Sequence, residues 1–523
     1  RALLDREGEC ERLVARDAAA ALPCLKELRK RLHDSGFPLP TLESRGRYAA
    51  IDKLLDGVVA TTGTLKTSLT DRLDKVLLHP VLGLVVFAAL MVVVFQAIYA
   101  WSGPFMDMIE AFFGATGEAV GGLLPEGPLQ SLLVNGVVAG VGGVLVFLPQ
   151  ILILFFFLGL LEDCGYMARA AFVMDRWLGG LGLSGRSFIP LLSSFACAIP
   201  GVMATRVIAD PRERLKALLL APLMSCSARL PVYVLFIGAF VPERDLIPGL
   251  VGLQGLVLFM MYGVGAGVAI LIALMLRAID GRRRKSSLIM ELPSYRKPQW
   301  RTVVHRLWDR GMAFIQTAGT MILAVSILVW AAAYFPRPAS IAEEIEAARA
   351  IEVAQAEATL SGEELVEAVA AIEAARDNEI AGAYLRQSIL GRMGHFIEPA
   401  VRPIGWDWKI AMAVVASFPA REVIVATLGV IYDVGEADEE SADLRSRLKA
   451  ATWPDGSPVF TLSVALSIMV FFALCAQCAA TLATIKRETN SWKWPVVAFA
   501  YMTAMGYVGA FVVYHASSAL LGG

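Results

Sequence analysis

Charge and histidine are what this sequence has least of. Asp, Glu, Lys and Arg make up only 18% of the 523 residues and His only five, against 56% hydrophobic residues and a mean hydropathy of +0.60. A soluble domain carries nearer a quarter charged residues and spreads its apolar ones periodically. Here they stand in long unbroken runs, the pattern of a chain that crosses a membrane. A net charge of −1, with the basic residues gathered in loops between those runs, gives no support to a nucleic-acid partner. No two histidines have the His-Glu-x-x-His spacing, which excludes a metalloprotease of that kind. All five (His33, His79, His305, His395, His515) fall outside or at the ends of apolar runs, which argues against an imidazole-built site at membrane depth. Cysteine is sparse as well: Cys10, Cys24, Cys164, Cys197, Cys226, Cys475 and Cys478. Five of these lie in or beside apolar segments, so a secreted disulfide framework is excluded. The chain opens at Arg1 on a polar stretch without a signal-peptide pattern, and the expectation is a fragment whose N-terminal part has been removed.

What is present is a series of spans. Residues 1–75 are charged, with Ile51, Leu54, Leu55 and Val58 at helical spacing, and read as the end of a soluble helical domain. From Val81 to Met106 there is no charge, enough to cross the roughly 30 Å hydrocarbon core. The next charge-free run, Leu129 to Leu161, carries Pro149 inside it, where a missing N–H predicts a kink or break. Further candidate spans are 215–241, 248–276, 311–335, 408–432, 458–485 and 495–519. Ser187 to Thr205 is charge-free but interrupted by Pro190 and Pro200, and reads as a re-entrant or broken helix. Residues 277–310 hold ten Lys/Arg against three acids, which places that loop in the cytoplasm. Residues 340–380 hold eleven acids against two Arg and read as a water-exposed helical hairpin turning near Ser361-Gly362, one span away and so on the outside. Counting back puts 206–214 inside. Lys486 and Arg487 are expected inside too, through a break near Cys475–Cys478 that returns the chain.

Several short stretches carry chemistry. Glu162 and Asp163 close a very apolar run: acids at membrane depth line ion pathways, while the same acids at the interface only pair with Arg169 or Arg176 and mark the end of the span. Both readings stand. Cys197 sits beside the Pro200-Gly201 break, and broken helices free carbonyls that transporters use to coordinate cations. A thiol suits transition metals rather than Na⁺ or Mg²⁺; the alternative is a small cysteine that merely packs. Met224 to Pro231 puts Cys226, Arg229 and Pro231 in mid-span, so Arg229 is expected to point inward. Arg421 and Glu422 follow Pro419 and read as a structural ion pair closing a break. Cys475 and Cys478 share a helical face, a spacing that suits a transient metal site. Cys197 precedes Arg206, and Cys478 precedes Arg487, by the same nine residues, a trace of an internal repeat. Gly180 to Ser187 imitates a phosphate-binding loop with Arg186 in place of Lys, but no strand precedes it, so no nucleotide site is assigned.

The chain resembles the ferrous-iron transport protein B family. The match is carried by Thr70 to Pro80, Leu161 to Arg176 (LEDCGYMARAAFVMDR), Gly182 to Pro190 (GLSGRSFIP), Cys197 to Arg206, Pro419 to Val423 with Thr427-Leu428-Gly429, and Cys478 to Glu488. The resemblance implies an all-α polytopic membrane protein with broken or re-entrant helices and two pseudo-repeated gate regions. It divides the chain into the end of a cytoplasmic helical domain (1–75), a first membrane half (76–276, gate about 147–241) and the basic loop (277–310). A second half follows (311–523, gate about 408–432), with the acidic insert at 336–407. The family's GTP-binding domain, with its GTP and Mg²⁺, would precede this chain, and its GTPase activity would lie there. Departures are Cys164, where Ser is common, Cys475, an added thiol, and a long acidic insert.

The implied function is Fe²⁺ transport into the bacterial cytoplasm across the inner membrane by a transporter rather than an enzyme. The lipid bilayer, small cytoplasmic accessory proteins and a possible oligomer are the partners. Candidate metal-handling residues are Cys197, Cys478, Cys226, Glu162, Asp163, Cys475 and Glu422. The alternatives are a carrier of Mn²⁺ or Zn²⁺, a nucleoside carrier, which would want Asn, Gln and aromatic side chains in the broken segments, and a membrane sensor that transports nothing. The topology has a direct check. A cysteine placed at Ser361 should react with an impermeant thiol reagent added to intact spheroplasts; reaction only after lysis would reverse the orientation.

Overall fold

The computed structural model describes residues 22–521 except for 35–38, 57, 59–68, 126, 248–250, 281–291, 360–362, 420, 422, 436 and 477. The chain divides at Leu69/Thr70 into two units. In the first, the helices Leu22–Asp34 and Leu39–Leu55 are described. The second is the membrane unit. It is all-α, as expected, apart from a two-stranded antiparallel ribbon, Asp245–Ile247 with Val251–Gly252, at a turn between spans.

Among the described residues seven helices are long and apolar enough to cross: Leu82–Leu123, Pro128–Asp163, Pro211–Phe240, Leu253–Ile279, Trp300–Tyr334, Leu462–Thr489 and Lys493–Leu520. The first runs on well past Met106, through Pro104, for 42 residues. At a rise of about 1.5 Å per residue it outreaches the hydrocarbon core roughly twofold. In the second, the predicted interruption falls at Val146-Phe147, and Pro149 sits in the first turn of Leu148–Asp163, where its missing N–H has no partner to lose.

Polar contacts sort the connections to two ends of the bundle. At one end Arg169 is buried beneath Asp74 (3.0 Å) and donates to the carbonyl oxygens of Gly165 (2.9 Å) and Pro293 (2.5 Å), with its guanidinium over the Tyr295 ring. The Tyr295 hydroxyl also donates to Asp74, at 3.0 Å. Burial and that carboxylate push its pKa up to about 12, so it remains a donor throughout the physiological range. Gly165, at φ +88°, makes the left-handed turn that brings Arg169 there. Glu488, its side chain only 2% exposed, holds both Arg206 and Arg214 at the same end. At the other end Arg386 binds Asp433 at 3.1 Å and Asn378 donates to the carbonyl of Val434. The helices of the acidic insert, Ala339–Thr359 and Glu363–Gln387, pack against each other there and are tied by Arg349 to Glu379 at 2.8 Å. The turn at Ser361-Gly362 lies outside the described residues.

Two segments enter the bundle and return to the end they came from. Phe188–Ala196 and Ala198–Ala204 form the first, as expected for a re-entrant segment. Ser184 before it and Arg206 after it both bond to the neighbourhood of residues 210–214 or their partner Glu488. Trp408–Ala416 and Val423–Ile431 form the second, and this corrects the predicted span at 408–432. Lys409 lies over the Tyr432 ring at 4.4 Å, so the segment's two ends meet. Two nine-residue helices are each too short to cross, since nine residues rise only about 14 Å. The same correction explains Lys486 and Arg487. They share an end with 206–214 because residues 408–431 do not cross, not because the chain turns back at Cys475–Cys478.

The first hairpin closes on a glycine. A Cβ built on Gly201 would stand 1.8 Å from Ser194 Oγ and 2.8 Å from the Pro190 carbonyl oxygen. Gly201→Val should therefore cost about 1–3 kcal/mol through overpacking, read as a lower Tm of the detergent-solubilised protein. Gly143→Val, whose Cβ meets nothing within 4 Å, should leave Tm in place; equal Tm values for both variants would contradict the close packing.

Candidate functional site

Besides the interruption at Val146-Phe147, four breaks interrupt helices among the described residues of the membrane unit: at Cys197, between Leu223 and Leu230, between Ala416 and Val423, and between Leu474 and Ala479. Each frees backbone groups where water cannot satisfy them. Several of them are met by other groups of this chain. Arg421 donates to the carbonyls of Phe472 (2.8 Å) and Cys475 (2.9 Å), and Ala479 N–H donates to Phe418 O at 3.2 Å. The tip of the second hairpin is thereby joined to the last break. Ser227 Oγ donates to Ala196 O at 3.5 Å, joining the first hairpin to the second break more loosely. Arg229, at the start of the half-helix Leu230–Phe240, reaches back across its break to Pro222 O (3.3 Å) and Leu223 O (3.4 Å) at the end of the preceding half-helix and to Ser225 Oγ (3.1 Å). Placing each guanidinium at the carbonyl end of a half-helix also opposes the helix dipole.

The four breaks converge on one cavity of about 120 Å³, room for several waters or a partly hydrated ion. Cys197, Cys226 and Cys478 line it together with Gln150, Ser227, Arg421 and Thr481. Cys197 (φ −153°, ψ 133°) and Cys478 (φ −148°, ψ 102°) share an extended conformation, and each heads a half-helix, Ala198–Ala204 and Ala479–Thr489. Those two half-helices pack against each other. The repeat suggested by equal Cys-to-Arg spacing thus corresponds to matched structure.

The other candidates lie elsewhere. Cys475 is fully buried beside the cavity and does not line it. Asp163 accepts the Gln299 N–H at 2.7 Å, at the start of Trp300–Phe314, and Glu162 pairs with Arg306 at 3.3 Å on an exposed surface. Glu162 borders a second, more polar cavity of about 440 Å³ with Ser193, Pro200, Asp309 and Arg310. Ile151, Phe155, Ile199 and Phe314 pack in one apolar cluster between the two. Arg306 and Gln299 are the partners of these acids, in place of Arg169 or Arg176, while Glu162 also borders a cavity, so both readings remain open. Glu422, and with it the expected pairing with Arg421, lies outside the described residues; the described partners of Arg421 are carbonyls. Among the described residues no three His, Cys, Asp or Glu side chains converge closely enough to hold a metal ion. The thiols line a passage; they do not form a closed cage.

Sequence reasoning missed the strongest signal of internal symmetry. Ser225-Cys226-Ser227-Ala228-Arg229 and Ser417-Phe418-Pro419-Ala420-Arg421 share a Ser-x-x-Ala-Arg pattern, and both fall at breaks. It also missed Gln150 and Thr481, which carry no motif. The phosphate-loop imitation is explained by its donors. Gly185 N–H is taken by Asp175 (2.6 Å), and Ser184 N–H and Ser187 Oγ by Glu213 (2.6 and 2.7 Å). Carboxylates of this chain occupy the groups that would cradle a phosphate.

A family model described as Gate, nucleoside recognition, matches residues 144–240 and 315–492, more than half of the chain. Another, ferrous iron transport protein B C terminus, matches 258–310. Fe(2+) transporter FeoB of Leptospira interrogans (strain Fiocruz L1-130) is 41% identical over 465 residues, 89% of this chain and 62% of that protein. Its namesake in Staphylococcus aureus (strain COL) is 35% identical over 479 residues, 90% of this chain and 62% of that protein. A Porphyromonas gingivalis protein named Fe(2+) transport protein A/Fe(2+) transporter FeoB fusion protein is 38% identical over 470 residues, 90% of this chain and 54% of that protein. The chain thus spans less than two thirds of the length of these curated relatives. No solved structure matches it.

Proposed function

The chain belongs to the ferrous-iron transport protein B family, and from that premise we propose that it moves Fe²⁺ through the bacterial inner membrane into the cytoplasm by way of the thiol-lined cavity. The observation that carries the reading is the convergence of Cys197, Cys226 and Cys478 from separate breaks onto one space at membrane depth. Thiols with hydroxyl, amide and carbonyl oxygens form a weak mixed donor set, which a borderline-soft cation can enter and leave. The basic end, with the run Arg282 to Lys285 in its connecting loop, is taken as cytoplasmic and the acidic insert as outside. On that orientation an ion leaves the thiol cavity past the apolar cluster of Ile151, Phe155, Ile199 and Phe314. It then emerges into the polar cavity bordered by Glu162 and Asp309.

The name of the Gate family model raises a nucleoside as the alternative cargo. The cavity's size of about 120 Å³ speaks against it, since small-molecule sites run about 300–1,000 Å³. A small cytoplasmic accessory protein is proposed as a partner, in keeping with the name of the Porphyromonas fusion relative. Control by a GTP-binding domain is proposed for the longer protein; the Gly180–Ser187 loop does not provide it.

Uptake into proteoliposomes with Fe²⁺, Mn²⁺ and Zn²⁺ in competition tests the cargo. Cys197→Ser should cut Fe²⁺ uptake by about tenfold or more at near-normal expression, because sulfur is lost at nearly constant size. Cys478→Ser should be intermediate and Cys164→Ser nearly silent, since Cys164 donates to Leu161 O and lies outside the cavity. Full uptake by Cys197→Ser with loss in Cys164→Ser would move the site to the Glu162–Cys164 turn.

A further inference from the structure

The wall of the thiol cavity is largely apolar, yet two of its polar side chains are left without partners. Gln150 lines the cavity from the first turn of Leu148–Asp163, just after the interruption at Val146-Phe147. Among the described residues its amide has no hydrogen-bond partner. Thr481 lines the cavity one turn past Cys478 and is only 5% exposed, and its hydroxyl has none either. Thr484 and Thr489 on the same half-helix donate to the carbonyls four residues back, at 2.8 and 2.7 Å, as helical threonines usually do. The half-helix begins at Ala479, so Thr481 has no such carbonyl within it. Other polar groups of the wall are engaged: Ser227 Oγ donates to Ala196 O, and Arg421 donates to two carbonyls. Buried polar groups are as a rule paired, so two unpaired ones on one enclosed space point to a guest. Ile151, next to Gln150, packs in one cluster with Cys197 and Cys478. The turn that carries the amide therefore lies against both thiol-headed half-helices.

We propose that Gln150 is an oxygen ligand of the transported ion and a specificity-determining residue, with the Thr481 hydroxyl as a second oxygen donor. This deepens the transport reading and rests on it. A glutamine side chain turns its carbonyl oxygen to a cation and leaves its NH₂ to water or a neighbour. Thiols alone favour Zn²⁺, which binds sulfur well and is satisfied by four donors. Neutral carbonyl and hydroxyl oxygens suit harder ions such as Mn²⁺. Fe²⁺ stands between Mn²⁺ and Zn²⁺ in its affinity for nitrogen, oxygen and sulfur sites, and a set that mixes sulfur with oxygen matches it. Removing the amide oxygen takes most from Mn²⁺, less from Fe²⁺ and least from Zn²⁺. The three losses are unequal, so the preference among the ions changes, which is what makes the residue a determinant of specificity.

The test uses the full chain in proteoliposomes, with Fe²⁺ as the transported ion and Mn²⁺ or Zn²⁺ as competitor, alongside anaerobic binding of the three ions to the solubilised protein. In Gln150→Leu, a change of similar size, the Zn²⁺ concentration that halves Fe²⁺ uptake should fall by about threefold or more. The Mn²⁺ concentration that does so should rise by about as much, and the binding constants should move in the same directions. Gln150→Glu, which keeps an oxygen at the same reach, should give Zn²⁺ no advantage over the parent. If Gln150→Leu does not accumulate in the membrane, Thr481→Val supplies the same readout, with shifts of about twofold expected from a weaker donor. Parental ratios among the three ions in Gln150→Leu, or in Thr481→Val where that variant has to be used, overturn the proposal even if overall uptake falls. A residue that only packs or holds water affects all three ions alike. An equal Zn²⁺ advantage in the Leu and Glu variants also overturns it, since shape and not oxygen would then be responsible. Absence of Fe²⁺ uptake by the parent protein would instead count against the transport reading, and the binding ratios would still decide whether Gln150 is a ligand.

Discussion

Everything at the centre of this protein depends on satisfying backbone groups where helices break inside a membrane. Each break frees carbonyls and N–H groups that lipid cannot hydrogen-bond, so protein or enclosed water must cover them. Here the cover is supplied by Arg421, Arg229, Ser227 and the Phe418–Ala479 backbone pair. Because each solution joins two elements, the breaks cannot be scattered. They gather at one place, and the space left between them is the cavity. The two arginines illustrate the compromise. They are costly to bury, yet each puts charge-assisted donors against carbonyls that would otherwise be orphaned.

The arrangement also divides into a tight half and a loose half. The second hairpin is held to the last broken span by three hydrogen bonds, two of them from a guanidinium. The tip of the first meets its broken span through a side-chain bond of 3.5 Å at Ala196, while at its base Glu213 of the same span accepts from Ser184 and Ser187. The two hairpins enter from opposite ends, and each tip meets a span that breaks beside it. That is the relation expected of inverted repeats, in which binding lies between the halves. The half-helices headed by Cys197 and Cys478 meet across that relation, with Arg206 and Glu488 closing it at the basic end.

Much of this was legible in the sequence because lipid imposes a simple code. Charge-free runs gave the spans, and Pro190 and Pro200 marked the first re-entrant segment. The resemblance supplied the family. The second re-entrant segment was misread as a span because residues 408–432 are predominantly apolar and carry no charge apart from Lys409, Arg421 and Glu422. Hydropathy cannot distinguish a crossing from a return. What betrays the return is Lys409 against Tyr432, a contact between residues far apart in sequence. Glu162 and Asp163 were ambiguous for the same kind of reason: their depth is set by Arg306 and Gln299, which belong to another span. The carbonyl partners of Arg421 lie some fifty residues on, where no sequence adjacency points to them; its expected pairing with Glu422 falls outside the described residues.

The central claim is that the metal passes among sulfur atoms. X-ray absorption at the iron edge, on the protein loaded anaerobically with Fe²⁺, reads this directly. The account predicts one or two sulfur scatterers in the first shell at about 2.3 Å, the length typical of a metal–thiolate bond. They should disappear when Cys197 and Cys478 are both replaced by Ser. A shell of oxygen and nitrogen alone, unchanged by that double substitution, would contradict it.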